Sequence, residues 1–598
     1  MNSYCISKKL FLFFFFVSIT FASAYAHTDE EVIIYVDVDK EKNIDFFEVE
    51  TYGNSWDTAF RSLHDALRFG DPNATQIWIA AGNYYVDDGM GYDTETNDTP
   101  SSSYRNPFVI QSRDVTIYGG FAGTETSLEQ RNLQANPTYL DGNVYYKSRP
   151  FTNPDDFYDT ANKFANRIML IHNSTVTFDG LTFQYVAGDN QTDVDKTDEG
   201  RGAFITANRS AVTVNNCLFQ YGQDAFNGMV VYARNQTAPV QISNSVIQKS
   251  GDAINYINAE NVSIDRCIFQ ELGNIRNDNT IIFSPNVAMS NSVLYNNTGF
   301  FIGRSHAEKD VNYTFRNLLV LNNDLSGQSL FTGGNSFVEN LSRTISVINA
   351  SFINNTYAAC VNLTESDLFD ADHTLTMQNN VFYGNKTTNG GTTISPELIN
   401  NNQENIVSVS NNATDKSDSV LLTDTNFNAG AVDLSAISDL TTLFVTPDNP
   451  KGDDNEWFTD DDGFVPDKGS TLLIGAGKAT GAPTTDIIGA TRPAIPSLGA
   501  YEGEPVLGSA MIKKIEDSLE IYPNPVVKGS TLYINNPNAL TVHTIEMYDL
   551  TGRLVKTVAL EDRNTHIAID ISSLANATYT IRITNEHGTL SKKIIISN

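Results

Sequence analysis

The chain is poor in cysteine, in positive charge and in long apolar runs. Only 4 of its 598 residues are cysteine. Cys5 lies ahead of the N-terminal apolar run, so Cys217, Cys267 and Cys360 remain for the body of the protein. Three thiols cannot staple a chain this long, which excludes a disulfide scaffold and leaves stability to a large core. Lysine and arginine number 39 against 71 aspartates and glutamates, a formal charge of -32. A field of that sign repels phosphate backbones and anionic lipid, so nucleic acid and anionic membrane are excluded as partners. It suits a solvated exported protein, or one that uses divalent cations.

Only one stretch stays apolar for long, Leu10 to Ala22, and it is too short to span a bilayer as a helix. Lys8 and Lys9 precede it and Ala24-Tyr25-Ala26 follows it, the pattern of a secretory signal over residues 1–26 that is cleaved before His27. Removing the two lysines takes the charge from -32 to -34. No later segment has the length of a transmembrane helix.

What the chain does have is a repeat. Segments starting at Val176, Val212, Val240, Val262, Val287, Tyr313, Ile345, Leu375 and Val407 share the order apolar, any, apolar, any, Asn, small, any, large apolar. Successive starts differ by 36, 28, 22, 25, 26, 32, 30 and 32 residues. A helical solenoid does not tolerate such irregularity, whereas parallel β-coils let loops of any length leave between short strands. The fifth position is Asn216, Asn244, Asn291, Asn317, Asn349, Asn379 or Asn411, with Gly180 and the odd Arg266 completing the set. Asn tolerates the left-handed conformation, so this residue turns a corner between two strands, and stacked amides form a ladder along the axis.

Either side of the corner, alternate residues point inward. The third position (Phe178, Val214, Ile242 and onward to Val409) and the eighth (Phe183, Phe219, Ile247 and onward to Phe382) are the predicted core columns, on coils ~4.8 Å apart. Cys217 and Cys267 share the sixth position two rungs apart, about 9.6 Å, which is too far for a disulfide. Upstream, Trp56, Phe60, Leu63 and Leu67 recur at helical spacing, so a helix over residues 55–69 is expected to plug the open N-terminal end. Gln76 to Ala80 then begins the first coil. The fold class is all-β: a right-handed parallel β-helix (solenoid) with an N-terminal helical cap and a small C-terminal β-sandwich. The expected divisions are a signal over 1–26, cap and first coils over 27–150, the β-helix with its closing segment over 151–502, a linker over 503–518 and a final domain over 519–598.

No strong catalytic motif is present, and two clusters are candidates. Asp224 and Asp252 each lie twelve residues after a repeat start, so they should sit on adjacent rungs ~5 Å apart. Two carboxylates that close can bind a cation or raise one pKa for acid catalysis. An Asp that opens a strand after a turn gives the same pattern, and inverting hydrolysis prefers roughly 6.5–9.5 Å. The second cluster is the loop Arg304-Ser305-His306-Ala307-Glu308-Lys309. Elimination at a uronate needs a cation for the carboxylate and a base for the neighbouring proton, and Arg304, His306 and Lys309 supply those types. A solvated charged loop has this composition too. Acidic runs at Asp189 to Glu199 and Asp453 to Asp462 can take calcium, with Asp460 and Asp462 as ligands. Asp460-Asp461-Asp462-Gly463 lacks the alternation of an EF-hand loop.

The stretches Ser55-Trp56-Asp57-Thr58-Ala59-Phe60, Ile77-Trp78-Ile79-Ala80-Ala81-Gly82 and Thr116-Ile117-Tyr118-Gly119-Gly120-Phe121 resemble the opening of pectin-lyase-like β-helix proteins of bacterial surfaces. Asp486-Ile487-Ile488-Gly489, Arg492-Pro493 and Leu498-Gly499-Ala500-Tyr501-Glu502 resemble their closing stretch. The fold so implied hosts lyases, glycosidases and adhesins alike. The Asp pair is similar to the aspartates of polygalacturonase-like coils, without their Gly-His-Gly and Arg-x-Lys elements. The 304–309 loop resembles the Arg-His segment of chondroitinase B-like lyases.

The last eighty or so residues carry Ile521-Tyr522-Pro523-Asn524-Pro525, Met547-Tyr548-Asp549-Leu550-Thr551-Gly552-Arg553 and a final Lys592-Lys593-Ile594-Ile595-Ile596. They resemble the type A sorting domain of the Bacteroidota type IX secretion system, with Ala577 where the family usually has Gly. That resemblance implies a partner in the secretion machinery through residues 519–598, and release or attachment at the outer-membrane surface. Two functions remain open: a surface protein or adhesin that binds polysaccharide or another cell-surface glycan, and an extracellular polysaccharide lyase or glycosidase acting on uronate-containing glycans.

Overall fold

The structure is a computed structural model. It describes residues 31–40, 52–86, 106–143, 164–187, 203–223, 230–234, 238–251, 255–273, 279–298, 300–303, 306–307, 310–325, 327–332, 335–336, 342–363, 372–387, 398–400, 406–424, 428–504, 519–536, 542–550, 552–562, 564–585 and 588–597.

Most of the chain winds as a parallel β-solenoid with three strands per coil. In one coil Ala203–Asn208 lies on a back face, Ala211–Asn215 on a leading face and Leu218–Gln223 on a trailing face. Each pairs in parallel with its counterpart in the next coil, Val231–Arg234, Val240–Ser243 and Val246–Gly251. Between leading and trailing strands stands the corner. Asn216, Asn244, Asn291, Asn317, Asn349, Asn379 and Asn411 all have φ between 47 and 59°, and Arg266 and Gly180 take the same left-handed turn at 51 and 73°. The repeat starts stack directly from Val176 to Leu375. At the last rung Leu375 pairs with Ile406 rather than Val407, and register is regained at Thr376 and Ser408.

The solenoid also begins earlier than the Asn pattern marks. Ile33–Val36, Gln76–Ala80 and Val115–Phe121 pair in succession beneath Thr175–Asp179. Gln76–Ala80, expected to open the first coil, is therefore preceded by a rung.

Inside, the third- and eighth-position columns are all buried in one core that runs the length of the coils. Rung spacing stacks like on like: Phe183 on Phe219 at 4.8 Å and Phe352 on Phe382 at 4.9 Å between ring centroids. Each such ring contributes about 1.5–3 kcal/mol by leaving water. Cys217, Cys267 and Cys360 are buried thiols that form no disulfide. The Cys217 and Cys267 N–H groups donate to Ser245 and Ser292 Oγ, and burial pushes both thiols up to about 12. They are packing groups, not nucleophiles.

The single N-terminal helix expected over 55–69 is two pieces. A 3₁₀ turn, Trp56–Thr58, ends where Phe60 forms a parallel bridge to Val36, and the α-helix is Leu63–Phe69. The bridge breaks the helix because the Phe60 N–H is needed by Tyr35 O and the Phe60 carbonyl by Asp37 N. Ser62 caps the helix by accepting from Asp65 N at 3.3 Å, and Leu63 and Ala66 face the core.

After the last coil the chain turns back. Residues 428–504 hold few regular elements and lie along the trailing and corner faces. They build a second core outside the solenoid, in which Val293, Leu319, Leu321, Ile353 and Val381 meet Leu443, Phe444, Trp457, Leu473, Ile487, Leu498 and Tyr501. The corner amides bind this returning segment: Asn411 donates to Ala476 O, Asn379 to Lys478 O, Asn349 to Ser497 O and Asn317 to Thr485 O, at 2.9–3.0 Å. Arg492 anchors it, buried, with bonds to Asn317 Oδ1, the Gly499 and Ala500 carbonyls and Glu502 at 2.8–3.0 Å.

At the C-terminus a three-stranded antiparallel sheet (Glu520–Tyr522, Thr531–Asn535, His566–Asp570) and a five-stranded one (Val526–Val527, Gly588–Ser597, Thr578–Asn585, Val542–Tyr548, Leu554–Asp562) share a core of their own. Most of the stretch read as linker lies outside the described residues.

Candidate functional site

The outward column of the trailing face changes character along the solenoid. Its stacked members run Asp141, Gln184, Gln220, Gln248, Gln270, Tyr295, Leu321, Ile353 and Tyr383. Where the returning segment covers the face, the column is apolar. Where it does not, the column is a glutamine ladder. Gln270 Nε2 donates to Gln248 Oε1 at 2.7 Å, Gln248 to Gln220 at 3.2 Å, Gln220 to Gln184 at 3.1 Å, and Gln184 to Asp141 Oδ2 at 2.8 Å. One amide N–H per rung is used in this ladder, and the second N–H of each amide lies outside it.

At the boundary between the two stretches lies a groove of about 680 Å³. The solenoid supplies Leu218, Val246 and Ile268, the amides of Asn244, Gln248 and Gln270, and Arg266; the returning segment supplies Lys451, Glu456, Trp457 and Phe458. Trp457 packs edge-on to Tyr295 at 5.4 Å, which fixes the wall to the rung after the ladder. The Arg266 guanidinium lies 5.0 Å over the Phe458 ring, and Lys451 Nζ is 5.7 Å from the Trp457 ring. Arg266 and Phe458 both have left-handed backbones, at φ 51 and 70°. For side chains of this bulk that conformation is disfavoured by about 1–2 kcal/mol each, so the surroundings impose it.

The wall is held from behind by two acids. Asp461 accepts from Asp453 N at 2.6 Å and from Thr459 Oγ1 at 2.8 Å, which holds its carboxyl below the usual range. Asp462 is fully buried and accepts from Phe458 N, Thr459 N and the Tyr501 hydroxyl, the last at 2.7 Å. Burial pushes its pKa up to about 6 against these three donors.

The residues singled out from sequence fall differently. Asp224, Asp252, Arg304 and Lys309 lie outside the described residues, as does the acidic run 189–199. His306–Ala307 is a short strand paired in parallel with Asn335–Ser336. Asp460 and Asp462, expected as a calcium pair, stand in different surroundings: Asp460 is exposed, while Asp462 is spent on loop amides and Tyr501. Among the described residues no three His, Cys, Asp or Glu side chains are grouped to hold a metal ion. The groove residues were missed, although a signal existed: Gln recurs at the ninth position of four consecutive repeats, and Arg266 interrupts the Asn corner.

Residues 520–597 match the secretion system C-terminal sorting domain. No curated protein matches the chain. Among solved structures, the catalytic domain of a GH87 alpha-1,3-glucanase in complex with tetrasaccharides is similar over 59% of this chain and 67% of its own, at 12% identity and a TM-score of 0.23. A likeness that slight carries no argument. The sorting domain does: the protein is secreted through the type IX system to the extracellular space or the cell surface.

Proposed function

We propose that this exported protein is a non-catalytic binder of extracellular polysaccharide, an adhesin or glycan-docking protein, and that the corner groove is where the sugar chain lies. The observation that carries the reading is the meeting of the half-buried Phe458, backed by the buried Trp457, with the amides of Gln248 and Gln270 along one groove. Aromatic faces pack on the apolar faces of sugar rings, and amides match their hydroxyls. A groove that crosses several rungs suits a polymer better than a small molecule. The resemblance of the opening and closing stretches to pectin-lyase-like proteins is consistent with this reading, with the helix Leu63–Phe69 closing the first coil.

Affinity electrophoresis of the mature chain through gels containing soluble polysaccharides tests it. Retardation by at least one glycan is expected, with loss in Phe458→Ala and Gln270→Ala. No retardation across a broad panel sinks the proposal. Accumulation of unsaturated or reducing sugar ends would instead favour the lyase or glycosidase reading, which rests on the sequence clusters at Asp224, Asp252 and 304–309.

A further inference from the structure

We infer that the groove selects its glycan by an anionic substituent, a carboxylate or sulfate, taken between Arg266 and Lys451. This rests on the glycan reading above and adds the charge class. The chain carries 71 acidic against 39 basic side chains, so two cations lining one groove are out of keeping with the rest of the surface. Among the described residues neither forms a salt bridge; their charges rest on the Phe458 and Trp457 rings instead. A ring face takes up none of a guanidinium's N–H groups as a carboxylate would, and these are the donors that match a planar carboxylate or a sulfate. Glu456 is the one acid in the lining, and it is exposed. Asp265, next to Arg266 in the chain, is already engaged by Ser290 Oγ at 2.6 Å and Asn291 Nδ2 at 2.7 Å.

Position strengthens the case. Arg266 occupies the corner site that seven other rungs give to Asn, and it keeps the left-handed turn that Asn adopts more readily. Phe458 adopts the same disfavoured conformation where it meets Arg266. The backbone turn alone would be served better by Asn at 266, so what distinguishes this rung is the arginine head group in the groove.

The test uses the mature full-length chain and three probes on one backbone: dextran, carboxymethyl-dextran and dextran sulfate, with polyacrylate as a non-sugar polyanion. A charged dextran should bind at least about tenfold more tightly than dextran at low salt, since a hydrogen bond to a charged group is worth that much, and added salt should remove the difference. The two charged forms tell carboxylate from sulfate. Arg266→Asn and Lys451→Gln should each bring charged binding down toward the dextran level. Arg266→Asn should melt no lower than the parent, so its loss of binding is not a loss of fold. Equal binding of charged and neutral dextran, or charged binding that survives Arg266→Asn, overturns the inference while leaving the glycan reading intact. Polyacrylate binding that depends on Arg266, with no dextran bound, removes the glycan reading and keeps the anion site. Silence from all four probes removes both.

Discussion

The corner column passes through two surroundings. From Asn317 to Asn379 its amides are buried, at Asn411 half-buried, and all are bonded to the returning segment; the neighbouring outward column is Leu, Ile and Tyr. At Asn216 and Asn244 the same backbone turn is exposed, its amides bond to Asp179 and Asn215 along the axis, and the neighbouring column is Gln. The left-handed turn is thus a property of the coil, and burial is added to it from outside. One conformational solution serves a packing role in one half and a presenting role in the other.

That comparison can be broken in several places. The interior should not notice it: Phe219→Ala in the open half and Phe352→Ala in the covered half should each cost about 3–5 kcal/mol by denaturant unfolding. A large difference between them would mean that the covering segment supports the inner columns. Glu502→Ala should cost about 3–5 kcal/mol because it strands the buried Arg492, and the loss should appear first as protease sensitivity of residues 428–504 with the coils still folded. Asn379→Ala should cost about 1–3 kcal/mol, because Asn349 Oδ1 and the Lys478 N–H and carbonyl all lose a buried partner. Asn244→Ala, in the open half, should cost only the roughly 1 kcal/mol of placing Ala in the left-handed turn, less than Asn379→Ala in a parallel melt. The smallest effect is pH-dependent. The Asp462 pKa is raised from 3.8 to about 6, so the folded state prefers the protonated acid. Its stabilisation is fully present below pH 3.8 and lost as pH rises through about 6. Asp462→Asn should remove that component of the slope between pH 4 and 7; an unchanged slope would place the titration elsewhere.

The coils were legible because period-two alternation and a recurrent Asn are local signals that survive irregular spacing. Phe178 to Val409 and Phe183 to Phe382 could be placed inward from alternation alone. The first rungs, Ile33–Val36 and Val115–Phe121, turn without that Asn and so escaped the pattern. The helix over 55–69 was overdrawn because Phe60 has helical spacing yet is claimed by strand pairing with Tyr35 and Asp37. The groove was not legible as a site, since its two sides are far apart in sequence and only the reversal of chain direction after residue 428 brings Trp457 and Phe458 to Gln270 and Arg266. A Gln column reads as surface, and a Trp among acids reads as a cation loop, until they are seen together.

The reversal also sets an order of events. Coils can stack one upon another as chain becomes available, since each needs only its predecessor. The wall at 451–458 cannot dock until the rungs it leans on exist and the chain has doubled back. The groove is therefore the last feature of the solenoid to be made. A fragment ending before Lys451 would keep the rungs and the corner turns and lack the wall that makes the groove, so a partial product of synthesis or proteolysis would separate the coils from the site proposed on them.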